Sequence, residues 1–94
     1  MLDAAMRFRK SAHQVSCTLD NEVAILDLKA AHYFGLNEVG AHIWQFLDEP
    51  RSVDGICRSV SEQFDIGPAD CQADVSRFLA SMRDAGLIEA VDAA

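Results

Sequence analysis

The hydrophobic pattern changes its period at Leu36 and Asn37, and this change constrains the possible folds more than any other feature. Residues 32–36 form a short run with two aromatic side chains, which favours an extended strand. From Val39 onward, apolar residues recur at the spacing of a helix. Asn37 suits a helix N-cap, because its side-chain oxygen can accept from a free amide of the first turn. A strand that leads directly into a helix in so small a domain is expected to lie at a sheet edge.

Two further strands are predicted before this junction. Residues 13–20 and 22–28 alternate in a way that is typical of strands, and Asp20 and Asn21 between them are turn-forming residues. With residues 32–36 as the third strand, the pattern predicts an antiparallel meander.

Three helices are predicted after the junction. The first runs to about Leu47, and the second begins after Ser52, a favourable N-cap. Pro68 suits the first position of the third helix, and Gly86 favours a left-handed cap at its end. Residues 87–91 are expected to form a short closing strand. The predicted fold class is therefore α+β, with a three-stranded antiparallel sheet followed by three helices.

The length of 94 residues is enough for one domain with a single core. Residues 1–12 include basic side chains but no apolar segment, so they are expected to form a flexible tail. The folded domain is assigned to residues 13–90. Residues 91–94 are expected to be a flexible C-terminus.

The charge distribution disfavours nucleic-acid binding. Residues 1–36 are balanced, whereas residues 37–94 contain 11 acidic and four basic residues, and so carry the whole net charge of −7. Such a surface repels a phosphate backbone. We therefore expect no nucleic-acid partner.

The apolar runs and the cysteines point to a cytoplasmic protein. No apolar run approaches the roughly 18 residues that a membrane span needs, so no membrane association is expected. Cys17, Cys57 and Cys71 form no CxxC pair, which argues against a zinc ribbon or a thioredoxin-type site. We expect reduced thiols, each acting as a small buried hydrophobe.

Catalytic and metal sites find little support in the sequence. The three histidines, His13, His32 and His42, fall on separate elements without the spacing of a ligand set. Cys57 or Cys71 with His42 is the candidate nucleophile–base pair. Both cysteines lie on apolar stripes, where the thiol pKa is raised and the thiolate is scarce. We expect no catalytic residue, no metal and no cofactor.

Four segments resemble the PqqD-like family. Residues 33–44 read YFGLNEVGAHIW, residues 50–54 read PRSVD, residues 74–79 read DVSRFL, and residues 85–88 read AGLI. The similarity extends over roughly residues 13–90, and its form is closest to that of the stand-alone lasso-peptide leader-binding proteins.

The resemblance implies a winged-helix-like domain that recognises the leader of a ribosomally made peptide and is not an enzyme. In that family the leader adds as a strand beside the third strand and lies against the third helix. The leader would then be delivered to a maturation enzyme, which is a leader peptidase, a cyclase or a radical enzyme. Carried onto this sequence, the peptide-binding residues are His32, Tyr33, Phe34, Gly35, Leu36, Asp70, Asp74, Val75, Arg77, Phe78, Leu79 and Met82.

The residues themselves leave two questions open. Tyr33 and Phe34 point to opposite faces of a strand, so one is expected in the core and the other near a groove, in either order. Two other functions compete with leader binding: a winged-helix DNA-binding regulator, and a structural adaptor that dimerises through the strand edge. A regulator needs a basic third helix, whereas residues 68–85 carry three acidic side chains and only two basic ones, Arg77 and Arg83.

Overall fold

The computed structural model describes residues 5–91, which form two three-stranded sheets and three helices. The strands are β1 (Arg7–Lys10), β2 (Gln14–Leu19), β3 (Glu22–Asp27), β4 (His32–Leu36), β5 (Arg51–Ser52) and β6 (Ile88–Val91). The helices are α1 (Glu38–Phe46), α2 (Val53–Phe64) and α3 (Pro68–Asp84). The predicted α+β class and the order of a meander followed by three helices are confirmed.

The meander places β3 between β2 and β4, and both pairings are antiparallel. Val23 and Ile25 of β3 are buried, at 2% and 0% exposure, on the face that packs against the helices. Asp20 and Ala31 in the two connecting turns adopt positive φ angles of 55° and 53°. These tight turns keep the three strands in register.

The helix boundaries follow the capping residues. The side chain of Asn37 accepts from the amide of Gly40 at 3.0 Å, and Ser52 Oγ accepts from the amide of Gly55 at 3.0 Å. Each cap satisfies one of the free donors in a first helical turn. After α3, Gly86 adopts a φ of 78°, the left-handed conformation that glycine tolerates best. The predicted caps at Asn37 and Ser52 and the left-handed Gly86 are therefore confirmed.

A second sheet, with the order β5-β1-β6, corrects the expected flexible tail over residues 5–12, whereas residues 1–4 of that tail lie outside the described residues. β1 is its central strand, and Phe8 is 0% exposed within the core. The hydrophobic pattern did not indicate this strand, because it is four residues long with a single core side chain. Its pairing partner β6 lies some 80 residues further along the chain. Val91 also belongs to a strand, and residues 92–94 lie outside the described residues.

The core is a single cluster between the meander, the second sheet and the three helices. Its largest fully buried side chains are Trp44, Phe8, Ile25, Ile43, Leu47, Ile56, Leu79 and Leu87. Cys71 is buried and Cys57 is half-buried, but Cys17 on β2 is exposed. The expectation of a buried Cys17 is wrong because its side chain lies on the face of the meander that the helices do not cover.

We predict that Phe8→Ala lowers the free energy of unfolding by about 3–5 kcal/mol, because it deletes a fully buried aromatic ring. Arg9→Ala in the same strand is the matched control. The ion pair of Arg9 with Glu89 is half exposed, so its loss is expected to cost at most about 1 kcal/mol. Urea denaturation measures both, and equally small effects would contradict the assignment of β1 to the core.

Candidate functional site

The free edge of β4 is the first component of the candidate site. Among the described strands, β4 pairs with β3 alone. Such an edge presents unpaired backbone groups to a further strand. The strand-to-helix junction predicted from the sequence therefore lies at a sheet edge, as expected.

The register decides which backbone groups of the edge are available. In an antiparallel strand, the N–H and C=O groups of one residue both point to the same neighbouring strand, and those of the next residue point to the opposite side. Leu19 and Glu22 close the two-residue turn between β2 and β3, and Leu28 donates to the carbonyl of His13 at 2.9 Å. The even-numbered residues of β3 therefore bond to β2, and its odd-numbered residues bond to β4.

The odd-numbered residues of β3 lie opposite His32, Phe34 and Leu36. These three residues of β4 consequently bond to β3. Tyr33 and Gly35 direct their backbone groups the other way, towards the edge. An added strand would find two N–H donors and two C=O acceptors there.

The side chains of β4 alternate between two environments. Leu36 is buried at 8% exposure, and Phe34 is half-buried against the core. Tyr33 lies on the opposite face and is 71% exposed. The structure thus answers the question left open by the sequence: Phe34 is the inward aromatic residue and Tyr33 the outward one. His32 stays on the inner side, with its ring centroid 4.9 Å from that of Phe34.

Gly40 marks where β4, α1 and α3 meet. A methyl group added at Gly40 would lie 3.1 Å from Phe78 Cε1 of α3 and 3.4 Å from the Cβ of Leu36. The absence of a side chain allows Phe78 to approach the first turn of α1 closely. A groove of about 280 Å³ opens at this point. Its lining includes Asn37, Val39, Gly40, Ile43, Asp74 and Phe78.

The predicted residues of α3 divide into two sets. Val75, Leu79 and Met82 are buried at 5% exposure or less, so they form the base on which the outer side chains rest. Asp70, Asp74 and Arg77 are exposed and Phe78 is half-buried. Of the predicted α3 residues, the groove beside α1 therefore brings together Asp74, Val75 and Phe78. The other predicted contacts stay predictions.

The α1 residues of the groove were missing from the residues predicted for the site. Val39 and Ile43 belong to the apolar spacing that predicts the first helix, and that spacing does not single out Gly40. A glycine in the first turn of a helix, three residues after its cap, was the available signal, since glycine is unfavourable inside a helix without a packing reason.

The exposed charges of α3 are mixed in sign. Arg77 Nη1 lies 3.4 Å from Asp74 Oδ1, and both side chains are more than 60% exposed. A pair this exposed contributes at most about 1 kcal/mol to stability. Because an acidic partner accompanies Arg77, this helix is a poor match for a phosphate backbone.

The candidate nucleophiles are not activated, although Cys71 lines the groove. Burial raises the pKa of the Cys57 thiol, and nearby Cys71 and Asp54 raise it further. Burial also raises the pKa of Cys71, although its contact with Cys57 lowers it in part. His42 Nε2 instead lies 2.8 Å from Ser59 Oγ. Within residues 5–91, no group of three or more potential ligands could hold a metal ion.

The fold and the edge together define a small α+β domain that can accept an extended segment beside a sheet and over an apolar groove. The chain belongs to the PqqD family: residues 22–88 match the family described as "Coenzyme PQQ synthesis protein D (PqqD)". The membership predicted from the sequence is confirmed. Comparison with curated proteins found no match. Within residues 5–91, no helix has the length and apolar character needed to cross a membrane.

Two solved structures share the fold. TbiB1 in complex with the TbiA(beta) leader peptide is 30% identical, with a TM-score of 0.81 over 86% of this chain and 94% of that chain. Lasso peptide synthetase B1 complexed with the leader peptide is 21% identical, with a TM-score of 0.77 over 87% of this chain and 96% of that chain. The second likeness supports the fold alone.

We predict that one thiol of the native protein reacts rapidly with a disulfide reagent at pH 7.5 and that two react slowly. Cys17 is exposed, whereas the raised pKa values of Cys57 and Cys71 reduce their thiolate fractions at this pH. Raising the pH should accelerate the slow pair. Cys17→Ser should remove the fast phase, and a fast phase of two or more thiols would contradict the unactivated state of Cys57 and Cys71.

Proposed function

We propose that this protein captures the leader segment of a ribosomally synthesised precursor peptide and catalyses no reaction itself. The leader adds as a strand beside β4 and lies over the groove between α1 and α3. The bound precursor is then delivered to a separate maturation enzyme.

The observation that carries the proposal is that the N–H and C=O groups of Tyr33 and Gly35 point outward from the sheet edge, next to an apolar groove. Main-chain hydrogen bonds along a sheet edge give affinity to any extended peptide. Side-chain pockets beside the edge then select among peptides, because alternate residues of the added strand point to the same side. The β4 edge supplies the main-chain hydrogen bonds, and the groove lined by Phe78 supplies a side-chain pocket.

The resemblance of residues 33–44 to the stand-alone lasso-peptide leader-binding proteins favours a lasso-peptide leader over other precursors. TbiB1, at 30% identity, was solved with a leader peptide, and the similarity spans 86% of this chain. A PQQ or radical-enzyme pathway is the next candidate, in keeping with the family description. The enzyme that receives the precursor is accordingly a leader peptidase or cyclase in the first case and a radical enzyme in the second.

The side chains of the site take different parts in this proposal. Phe34 and Phe78 offer half-buried aromatic surface to the inward side chains of the leader. Tyr33 faces the leader side chains that point outward. Asp70, Asp74 and Arg77 contact charged leader residues at the rim, while the buried α3 residues hold Phe78 in place. The acidic surface of residues 37–94 raises the association rate of a basic leader more than its affinity.

We place this activity in the cytoplasm. The three cysteines are free, which fits a reducing compartment. A cytoplasmic site also agrees with a precursor peptide that is captured soon after its synthesis.

We predict that Gly35→Pro weakens binding of a fluorescein-labelled leader peptide at least about fivefold, because it removes an edge donor whose hydrogen bond contributes about 1 kcal/mol. Fluorescence polarisation measures the dissociation constant. The fold should survive, since the lost amide is not bonded to β3.

Gly35→Ala is the matched control for this change. Nothing lies within 4 Å of a methyl group placed at Gly35, and alanine keeps the amide, so leader affinity should stay within about twofold of the wild type. Unchanged affinity in the folded proline variant would contradict strand addition beside β4. No binding of the leader by the wild-type protein would contradict the proposed function as a whole.

A further inference from the structure

Two of the three thiols meet where α2 packs against α3. Cys71 Sγ donates to the backbone oxygen of Cys57 at 3.3 Å, although the two residues are 14 positions apart in the chain. The thiols also contact each other, since each affects the pKa of the other. We call Cys57 and Cys71 the dithiol pair. The third thiol, that of Cys17, is exposed on β2 and stands outside this pair.

A pocket of about 350 Å³ between α2 and α3 gives access to the dithiol pair. Its lining includes the buried Val53 and Cys71, the half-buried Cys57, and the exposed Asp54 and Arg58. This volume falls in the range of pockets that hold small molecules. Since Cys71 is only 1% exposed, a reagent that enters the pocket meets the Cys57 thiol first.

The connection between α2 and α3 holds the pair together. Only residues 65–67 separate the two helices, and Ser61 Oγ donates to the backbone oxygen of Ile66 at 2.8 Å within this corner. Two cysteines can form a disulfide only where the backbone already brings their side chains close, because disulfide geometry is specific. The contact between the thiols of Cys57 and Cys71 in the reduced protein meets this requirement.

We propose that the dithiol pair is a reversible redox site whose oxidant is a small disulfide such as oxidised glutathione. The Cys57 thiolate attacks one sulfur of the oxidant, which releases one glutathione thiolate and leaves a mixed disulfide. The Cys71 thiolate then attacks the Cys57 sulfur, displaces the second glutathione and closes the Cys57–Cys71 disulfide. Each cysteine proton ends on a released glutathione. The pair thus gives up two electrons and the oxidant becomes two thiols.

The two steps differ in speed for physical reasons. Burial raises the pKa of both thiols, so thiolate is scarce and the first attack is slow. The second step is intramolecular, and the Cys71 thiol is already held beside Cys57. The pair therefore stays reduced in a reducing compartment and closes only when the surroundings become persistently oxidising.

The disulfide acts as a clamp between two helices. Cys71 lies in the early part of α3 and also lines the groove that contains Phe78, two turns further along the same helix. A link from Cys71 to α2 fixes the position of α3 and restricts the unfolded chain between the two cysteines. The redox state of the surroundings therefore sets how firmly one wall of the groove is held.

The test uses Cys17→Ser as the parent protein, so that the exposed thiol takes no part. The matched control is Cys17→Ser/Cys71→Ala, which keeps Cys57 in its pocket but removes the thiol that resolves the mixed disulfide. Both proteins are incubated with oxidised glutathione. Intact-mass spectrometry then identifies the products, and urea denaturation measures their stability before and after reduction with dithiothreitol.

We expect the parent to lose two hydrogen atoms in mass and to retain no glutathione, whereas the control retains one glutathione on Cys57. The urea midpoint of the oxidised parent should lie at least about 1 M above that of the reduced parent, and dithiothreitol should abolish this difference.

Three results would overturn the proposal. The first is a parent that keeps a glutathione adduct, which would show that the two sulfurs cannot join. The second is a control that takes up no glutathione, which would show that Cys57 is closed to the oxidant. The third is a disulfide that lowers the urea midpoint, because the bond would then form only by distorting the α2–α3 corner.

Discussion

The cap at Asn37 and the burial of Leu36 are the interactions on which the site depends. The Asn37 side chain accepts from the amide of Gly40 at 3.0 Å, and Asn37 alone separates the end of β4 from the start of α1. Leu36 is buried beneath this junction, and Phe78 reaches over it from α3. A strand edge that would otherwise be free to shift is thereby fixed relative to the helices. The distance between the edge and the groove is set by two adjacent residues and not by a flexible loop.

The central position of β3 explains how one small sheet can have two uses. β3 uses its backbone groups on both sides, whereas β4 uses one side and leaves Tyr33 and Gly35 directed outward. The inner face of the same sheet is committed to the core through Val23 and Ile25. The β4 edge and the sheet face opposite the helices therefore both remain exposed. In the account proposed here, the edge receives the leader.

Local signals in the sequence predicted much of this fold. The side-chain oxygens of Asn37 and Ser52 cap the first two helices. Pro68 has a fixed φ that suits the start of α3, and Gly86 adopts the left-handed conformation after its end. Each of these signals acts within a few residues of the chain. The features that escaped prediction depend on distant contacts. β1 owes its place to pairing with β6, and no periodicity within four residues can reveal that.

The same distinction applies to the site. The alternation of the sequence showed that Tyr33 and Phe34 point to opposite faces of β4, but it did not show which of the two faces the helices. That is decided by the register of β4 against β3, in which Phe34 lies opposite the buried Ile25.

Hydrogen exchange of individual β4 amides, followed by NMR with and without leader peptide, tests the central claim most directly. The account predicts that leader binding slows exchange at Tyr33 and Gly35, whereas Phe34 and Leu36, already bonded to β3, change little. Bound leader with unchanged exchange at Tyr33 and Gly35 would contradict strand addition at this edge.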